Sequence, residues 1–235
     1  MSILGVLTPA RRRGEEILDD PSTPIDVRAR AMADLVRSNA WFGGVAPVLH
    51  AIRRLRQSLP RDLVVLDVGT GLAEIPDQVR TELASSGARP RVVGMDAVES
   101  IARAARSRLG TAVVGDALHL PFRSASVDVV MCSQLLHHFE TDAARAVLAE
   151  LHRVSRGWIV VADLRRSWFS VAGFWLSSTL LRFHPVTRHD GVVSILRGFT
   201  VGELEALVRD ATGGTPVMRR GLFWRVSASW RARAA

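Results

Sequence analysis

A short turn near the start of an apolar run holds the first residues whose types and spacing suit ligand binding. Asp67, Gly69 and Gly71 lie in the segment DVGTGLAE. Glycine permits a sharp turn and lets a ligand approach the main chain. Asp67 and Glu74 place a carboxylate on each side of the turn, which repels a phosphate and attracts a cation. The turn therefore predicts a site for a cationic ligand.

Two classes of nucleotide ligand use such a turn, and charge separates them. A dinucleotide needs the third glycine of G-x-G-x-x-G, and Glu74 stands at that position. S-adenosylmethionine has no phosphate, and it carries an ammonium group and a sulfonium. We therefore expect S-adenosylmethionine rather than a nicotinamide dinucleotide, with an ordinary tight turn as the alternative that binds nothing.

Two more aspartates end the next two predicted strands. Asp96 is placed to accept both hydroxyls of a ribose, as in other α/β nucleoside-binding folds, or else to cap the following helix. Asp116 is placed to accept the adenine amino group while the amide of Ala117 meets the ring; a simple turn aspartate is the alternative.

Histidines supply the candidate general bases. If S-adenosylmethionine is the ligand, transfer of its methyl group needs a base only where the acceptor must lose a proton, and histidine suits that task near neutral pH. His137 and His138 follow the fourth predicted strand, and His189 lies between the fifth strand and the last helix. We prefer His137 and His189 as catalytic residues; helix-start or loop positions without a catalytic part are the alternative.

Hydrophobic periodicity supplies the elements that must position these residues. Five short, nearly continuous apolar runs indicate buried strands, at 63–69, 91–96, 111–116, 126–133 and 157–164. Helical segments over about 74–86, 98–109 and 140–154 alternate with them, which predicts an α/β fold with a doubly wound, mostly parallel sheet of seven strands. A last helix near 200–212 begins with a capping box, and an antiparallel hairpin is expected to close the chain.

The flanking segments predict two coverings of the site. Residues 1–60 are expected to form an N-terminal helical cap, and 61–235 the cofactor-binding domain. Within that domain, 167–199 is expected to be a substrate-covering insertion, because 168–181 carries no charge yet is too short to span a membrane. Arg165, Arg166 and Arg182 flank it and would permit weak association with a membrane surface. A core helix that touches no ligand is the alternative.

Composition excludes several classes of function. The chain has 235 residues and a net charge of +8, but all 31 basic residues are arginine and they are scattered, so we expect no nucleic-acid partner. The single cysteine, Cys132, excludes an intramolecular disulfide and a cysteine metal cluster, and no metal site is predicted. The arginines follow the apolar residues at the start, the reverse of a secretory signal, and we expect a cytoplasmic protein.

Five segments together resemble the class I S-adenosylmethionine-dependent methyltransferases, in the branch that contains ubiquinone/menaquinone and other small-molecule methyltransferases. They lie within residues 60–165 and include VLDVGTGLAE, VVGMDAVES and ELHRVSRGWIVVADL. Two departures are Ala73 in place of a loop glycine and a shortened turn at 154–157, which we expect to alter only a distal loop.

The resemblance assigns roles to residues by position. It implies that Asp67, Gly69 and Gly71, with Thr70, surround the methionine portion of the cofactor. The same likeness places Asp96 and Ala97 at the ribose. It also places Asp116 and Ala117 at adenine, and Ser133 and Gln134 on the floor after strand four.

The sequence thus predicts an S-adenosylmethionine-dependent methyltransferase that releases S-adenosylhomocysteine. Its expected acceptor is a small lipophilic, aromatic or polyketide-like molecule methylated at oxygen. Alternatives are carbon methylation of a quinone-like ring, a non-catalytic cofactor-binding relative, a nicotinamide-dependent oxidoreductase and an RNA or protein methyltransferase. The sequence leaves the oligomeric state open.

Overall fold

A seven-stranded sheet forms the centre of the computed structural model, which describes residues 8–12, 14–20 and 22–232. The strands are β1 (Asp62–Val68), β2 (Arg89–Asp96), β3 (Ala112–Val114), β4 (Val127–Ser133), β5 (Ser155–Leu164), β6 (Val217–Arg220) and β7 (Arg225–Arg231). Their order is β3-β2-β1-β4-β5-β7-β6, and β7 runs antiparallel to both of its neighbours. The other pairs are parallel. The predicted α/β fold and its closing hairpin are confirmed.

Helices cover both faces of the sheet and one of its edges. Within the described residues they are α1 (Ile25–Trp41), α2 (Ala46–Leu55), α3 (Glu74–Ser85), α4 (Glu99–Leu109), α5 (Thr141–Val154), α6 (Trp168–Leu180), α7 (Pro185–Arg197) and α8 (Val201–Thr212). Short 3-10 turns lie at Ile17–Asp19, Arg56–Ser58 and Leu136–His138. The predicted capping box opens α8, since the Thr200 hydroxyl accepts from the Glu203 amide and the Glu203 carboxylate accepts from the Thr200 amide.

The core consists of two apolar layers, one on each face of the sheet. Helices α2, α3 and α4 pack on one face, and α5 and α8 pack on the other. Every residue of β4 is buried, including Asp128, whose carboxylate accepts from the Arg156 guanidinium. Helix α2 precedes the first strand, yet Val48 and Ile52 join the layer that contains Val65. Helix α2 falls within the predicted N-terminal cap, but it packs on the face of the sheet.

A third apolar cluster lies beyond the carboxyl ends of the parallel strands, under helices α1, α6 and α7. It contains Phe42, Leu164, Phe174, Phe183, Ile195 and Trp224. Asp34 of α1 ties this layer together, because its Oδ2 accepts from the His184 amide at 2.7 Å and from the Thr187 hydroxyl at 3.3 Å. These helices form a roof over one end of the sheet.

Two sequence expectations about this region need correction. Arg166 does not flank a membrane-facing surface: it is buried, and its guanidinium donates to Pro9 O, Gly198 O and the Glu203 carboxylate. The shortened turn is not a loop, since β5 begins at Ser155 directly after α5. A Cβ at Gly157 would lie 2.3 Å from Asp128 O, so close strand packing requires glycine there.

Candidate functional site

A cavity of about 250 Å³ opens at the carboxyl edge of the sheet, beneath the roof of α1, α6 and α7. Its floor contains the glycine turn after β1 and the residues Ser133, Gln134 and His137 after β4. Apolar side chains line much of the rest: Met32, Leu35, Val36, Phe174 and Ile195 from the roof, and Trp224 from the turn before β7. Doubly wound sheets bind ligands at this edge, where the strand order reverses.

The glycine turn has a backbone that only small residues tolerate. Gly69 has a φ of +74°, and a Cβ there would lie 2.8 Å from Leu135 Cδ2. Gly71 has a φ of +54° with open space where a Cβ would point. The amides of Gly69 and Thr70 both donate to Met95 O at 2.9 Å, which fixes the turn against β2. Gly69, Thr70 and Gly71 all line the cavity.

Strain in this region also falls on two residues other than glycine. Ala73, where a loop glycine was expected, has a φ of +60° and is fully buried. Gln134 has a φ of +55°, and its amide donates to Ala162 O at 2.8 Å. Left-handed backbone at such residues costs of the order of 1–3 kcal/mol, and it clusters at functional sites.

Asp67 lies beneath the turn as a buried carboxylate with unused bonding capacity. Its side chain is 2% exposed, and its Oδ1 has no hydrogen-bond partner among the described residues. Burial raises the pKa of Asp67 to about 7, and the negative charge of Asp96 adds to the shift, while the Thr70 hydroxyl opposes it. The Ser133 hydroxyl is also buried, with no hydrogen-bond partner among the described residues, and both Thr70 and Ser133 line the cavity. Unsatisfied oxygens at and beneath the cavity floor fit a ligand with an ammonium group and a sulfonium.

Asp96 connects the turn to the next helix. Its Oδ2 accepts from the Gly71 amide at 3.1 Å, and its Oδ1 accepts from the Val98 amide at 3.1 Å. Helix α4 begins at Glu99 with Val98 as its N-cap, so Asp96 is not the cap that the sequence offered as an alternative. Neither Asp96 nor the adjacent Ala97 lines the cavity.

Asp116 and Ala117 follow β3, outside the cavity. The carboxylate of Asp116 is mostly exposed and accepts from the Leu118 amide at 2.9 Å, and its Oδ2 lies 3.5 Å from His119 Nδ1. Ala117 is buried against the core. The structure thus shows a turn conformation at Asp116, and its adenine-binding role stays a prediction.

His137 is paired with a carboxylate that the sequence analysis missed. Its Nδ1 lies 2.6 Å from Asp163 Oδ1, and its amide donates to Asp163 Oδ2 at 2.9 Å. Both side chains are buried, with His137 4% exposed. Burial works to lower the pKa of His137, but the Asp163 carboxylate outweighs it and raises that pKa. With Nδ1 held by Asp163, Nε2 is the ring nitrogen that remains for a ligand in the cavity that His137 lines.

His189 does not share this environment. Half of its side chain is exposed, and it is absent from the cavity lining. Its Nδ1 contacts Asp190 Oδ1 at 2.9 Å, so the two neighbours do face each other. The Asp190 carboxylate lines the cavity, and it also accepts from the amides of Ile17 and Leu18. The structure therefore brings His137, but not His189, to the cavity.

Glu16, His137 and His138 form a cluster whose ligand-type atoms lie within 4.8 Å of one another. Such a set could hold a divalent cation. However, the Glu16 carboxylate accepts from Arg197 Nη1 at 3.0 Å and from the Ser194 hydroxyl at 2.7 Å. The arginine already neutralises Glu16 and would repel a cation, so these contacts do not favour a metal there.

Arg225 is the second functional candidate that the sequence analysis missed. It begins β7, lines the cavity and is 3% exposed. In the sequence, the feature that distinguishes Arg225 is its charge between the apolar residues Trp224 and Val226. Arginine is too common in this chain for that feature to indicate a site. Asp163 gave a similarly weak signal, as one acid at the end of an apolar run.

Comparison with known proteins adds sequence matches to this geometry. Residues 65–157 match the family described as "Methyltransferase domain". Over 100 residues the chain is 34% identical to the tRNA (carboxymethyluridine(34)-5-O)-methyltransferase alkbh8 of Xenopus tropicalis, a stretch that is 42% of this chain. The chain spans 15% of the length of that curated relative. The family match favours a methyltransferase over the alternative oxidoreductase.

Solved structures share the fold at low identity. A chain from the complex of a methyltransferase with the Haloferax volcanii Trm112 methyltransferase activator has a TM-score of 0.60 and 15% identity; the alignment covers 90% of this chain and 99% of that one. A S-adenosylmethionine-dependent methyltransferase of Thermotoga maritima, named a possible histamine N-methyltransferase, has a TM-score of 0.59 and 16% identity, over 88% and 99% of the two chains. At this identity the likeness establishes the fold alone.

Proposed function

We propose, from the premise that this chain carries a class I S-adenosylmethionine-dependent methyltransferase domain, that it methylates an oxygen atom of a small aromatic acceptor bound in the cavity. The single observation that carries the proposal is that His137, on the cavity floor, is paired with the buried carboxylate of Asp163. A base of that kind is needed for a hydroxyl acceptor, which must lose a proton, and it has no comparable use for an amine that is already nucleophilic.

The residues that would hold S-adenosylmethionine are those of the glycine turn and of the strand ends beside it. The Asp67 carboxylate and the Ser133 hydroxyl suit the ammonium end of the cofactor, because each has an oxygen without a hydrogen-bond partner among the described residues. Asp96, Ala97, Asp116 and Ala117 extend from the turn along the edge of the sheet, and we assign them to the nucleoside. When bound, the cofactor supplies a methyl group that its sulfonium already activates.

His137 is assigned the role of general base. Asp163 holds its Nδ1 proton, so that Nε2 keeps the lone pair that takes the proton of the acceptor hydroxyl. The carboxylate then stabilises the imidazolium that forms. The acceptor oxygen, relieved of its proton, becomes the nucleophile for the methyl group. Positioning of the two reactants supplies the rest of the acceleration, which can reach ~7–11 kcal/mol.

The apolar roof supports an aromatic acceptor. Phe174 and Trp224 line the cavity, with ring centroids 5.6 Å apart in an edge-to-face arrangement. Phe42 packs against both rings from the end of α1. Aromatic walls of this kind bury a flat ring and exclude water from the reacting oxygen. Carbon methylation of a quinone-like ring would use the same walls, and His137 would then accept the proton that the ring loses, so the methylated atom of the product separates the two reactions.

Radiolabelled S-adenosylmethionine with a panel of hydroxyaromatic compounds tests the proposal. We expect methyl ethers as products, with His137→Gln lowering kcat about 10²–10⁴-fold and leaving cofactor affinity unchanged. His189→Gln is the matched control and should retain wild-type activity, because His189 lies outside the cavity. Full activity of His137→Gln, or carbon-methylated products alone, would contradict the proposal. Cofactor binding without transfer to any panel member would favour a non-catalytic relative.

A tRNA methyltransferase is a second candidate, favoured by the match to a curated tRNA methyltransferase and by the net charge of +8. Binding of tRNA to arginine-rich protein releases counterions, so it must weaken steeply with salt. Filter binding of total tRNA at low and physiological salt, followed by methyl transfer to that tRNA, separates the two candidates. We expect neither specific binding nor transfer.

A further inference from the structure

The cavity contains a buried positive charge that no side chain within the described part of the chain balances directly. Arg225 donates from Nη2 to Asn39 Oδ1 at 3.3 Å, and its Nε and Nη1 have no hydrogen-bond partner among the residues that the structure describes. Arginine stays protonated inside proteins, so these nitrogens carry N–H groups that need acceptors. The side chain lines the cavity into which a ligand would fit.

The nearby carboxylates are already engaged. Asp163 raises the pKa of Arg225 and so lies within electrostatic range, although burial dominates and lowers that pKa to about 10. Its two oxygens accept from His137 and from the Leu164 amide rather than from the guanidinium. Glu16 is paired with Arg197, and Asp190 with the amides of Ile17 and Leu18. None of these contacts includes Arg225.

A buried guanidinium that lacks hydrogen-bond acceptors destabilises the protein without its ligand. Moving a charge out of water is costly unless the charge is paired and hydrogen-bonded. Two features nevertheless hold Arg225 in place: β7 pairs with β5 at Leu164, and Asn39 is fixed by the turn in which Gly44 N donates to Asn39 O at 2.8 Å. The site is therefore organised for an anion that arrives with a ligand.

His137 and Arg225 both line the cavity, and the charge of Asp163 acts on both of them. His137 contacts Asp163 directly, whereas Arg225 pairs in the sheet with Leu164, the residue after Asp163. One cavity thus presents both a proton acceptor and a buried positive charge. A ligand that meets both must carry a hydroxyl and an anionic group.

We propose that Arg225 binds a carboxylate of the acceptor, and that the acceptor is an aromatic carboxylic acid that also carries a hydroxyl group. The proposal rests on the methyl transfer proposed above, because it names the substrate class of the same cavity. Arg225 acts in binding, while His137 acts on the hydroxyl.

Binding of matched probes to the full chain saturated with S-adenosylhomocysteine tests this inference without turnover. The probes are 1-hydroxy-2-naphthoate, its carboxamide and 1-naphthol, measured by isothermal titration. In the wild type we expect the acid to bind at least about tenfold more tightly than the amide, as a charge-assisted hydrogen bond implies. Arg225→Met should abolish that preference, and Arg225→Lys should keep part of it.

Arg231→Met is the matched control, an exposed arginine at the other end of β7. It should bind all three probes as the wild type does. The Tm of thermal unfolding separates a binding role from a structural one, because removal of an arginine that stabilises the fold would lower the Tm. Because Arg225→Met removes an unbalanced buried charge, its Tm without ligand should equal or exceed that of the wild type.

The outcomes separate this inference from the proposed function. Equal affinity for acid and amide, failure of the acid to bind at millimolar concentration, or an Arg225→Met variant that still prefers the acid would overturn the carboxylate assignment. Methyl transfer could still occur to neutral phenols in that case. Conversely, acid binding that depends on Arg225 without any methyl transfer would uphold the binding site and contradict the proposed chemistry.

Discussion

Four buried ionisable side chains are central to the proposed chemistry: His137 and Arg225, which line the cavity, and Asp67 and Asp163, which lie behind its lining. His137 and Asp163 satisfy each other, whereas Asp67 and Arg225 keep atoms without partners. The unpaired carboxylate lies under the glycine turn, and the unpaired guanidinium lies beside the apolar roof. This separation suits a cationic cofactor at one end of the cavity and an anionic acceptor at the other.

Asp67 should make cofactor binding depend on pH. Its raised pKa, about 7, means that the free protein holds a proton which the unfolded chain releases above about pH 4. Stability of the free protein therefore falls as the pH rises from about 4 to about 7. A bound ammonium or sulfonium favours the carboxylate, so affinity for sinefungin should rise as the pH passes through about 7. Titration calorimetry from pH 5.5 to 8.5 measures this.

Asp67→Asn is the control for that titration. The variant should bind more weakly, with an affinity that no longer changes near pH 7, and its stability should not fall between pH 4 and 7. A variant that retains the wild-type pH dependence would place the titrating group elsewhere.

The His137–Asp163 pair should set the pH dependence of the reaction. Because Asp163 raises the pKa of His137, the neutral form that acts as base appears only above the usual range of histidine, so kcat should rise with pH to a plateau on that alkaline side. Asp163→Asn removes the raising charge and leaves the burial. The rise should then shift to lower pH, while the plateau rate falls because the imidazolium loses its stabilising partner. A pH profile unaffected by this substitution would exclude His137 as the base.

Sequence patterns predicted residues of the cavity floor better than its long-range partners. The glycine turn was predictable because its chemistry lies in a few adjacent residues. Asp163 and Arg225 were not, since each acquires its meaning from a strand distant in sequence: β4 brings His137 to Asp163, and β5 brings Leu164 to Arg225. His189 was preferred for its residue type, but its position on α7 directs it away from the cavity.

At the scale of elements, the helices of the roof determine the shape of the acceptor end. Helix α6 packs against α7 at Gly191, where an added Cβ would lie 2.1 Å from the Phe174 ring. Phe174 lines the cavity, so that close approach couples the separation of the two helices to the aromatic wall. Strand and helix positions in the sheet were predictable from periodicity, but this packing depends on a glycine that helix periodicity does not single out.

Gly191→Ala should widen the helix pair and disturb the acceptor end alone. Overpacking typically costs ~1–3 kcal/mol of stability, and we expect a loss in that range with weaker binding of aromatic ligands and unchanged cofactor affinity. Chemical denaturation and titration calorimetry measure the two effects. Gly202→Ala is the matched control: its Cβ would meet nothing within 4 Å on α8, so the added helix propensity should leave stability equal or increased. Equal effects of both substitutions would mean that Gly191 has no special packing role.

At the scale of the whole molecule, the outer face of α6 departs from the usual pattern of a surface helix. Its exposed side chains include Trp168, Phe169, Trp175, Leu176 and Leu180, while its buried face contains Ser170, Phe174 and Ser178. No charged residue occurs between 168 and 180. Among the described residues, no helix is long and apolar enough to cross a membrane. An apolar outer face with two tryptophans on a chain of net charge +8 suits contact with an anionic lipid surface.

We expect the chain to bind vesicles that contain anionic phospholipid, more weakly as salt rises, because arginines such as the exposed Arg182 follow α6. The double variant Phe169→Ser, Leu176→Ser should lower vesicle affinity about tenfold or more, since each loses the burial of a large apolar side chain. Val114→Ser removes an exposed apolar residue at the far edge of the sheet and should leave affinity unchanged. Co-sedimentation with vesicles of phosphatidylglycerol and phosphatidylcholine measures all three proteins.

The same apolar face borders the roof of the cavity, so membrane contact would place a lipophilic acceptor beside its binding site. Equal affinity of the wild type and the double variant would instead assign this face to another role.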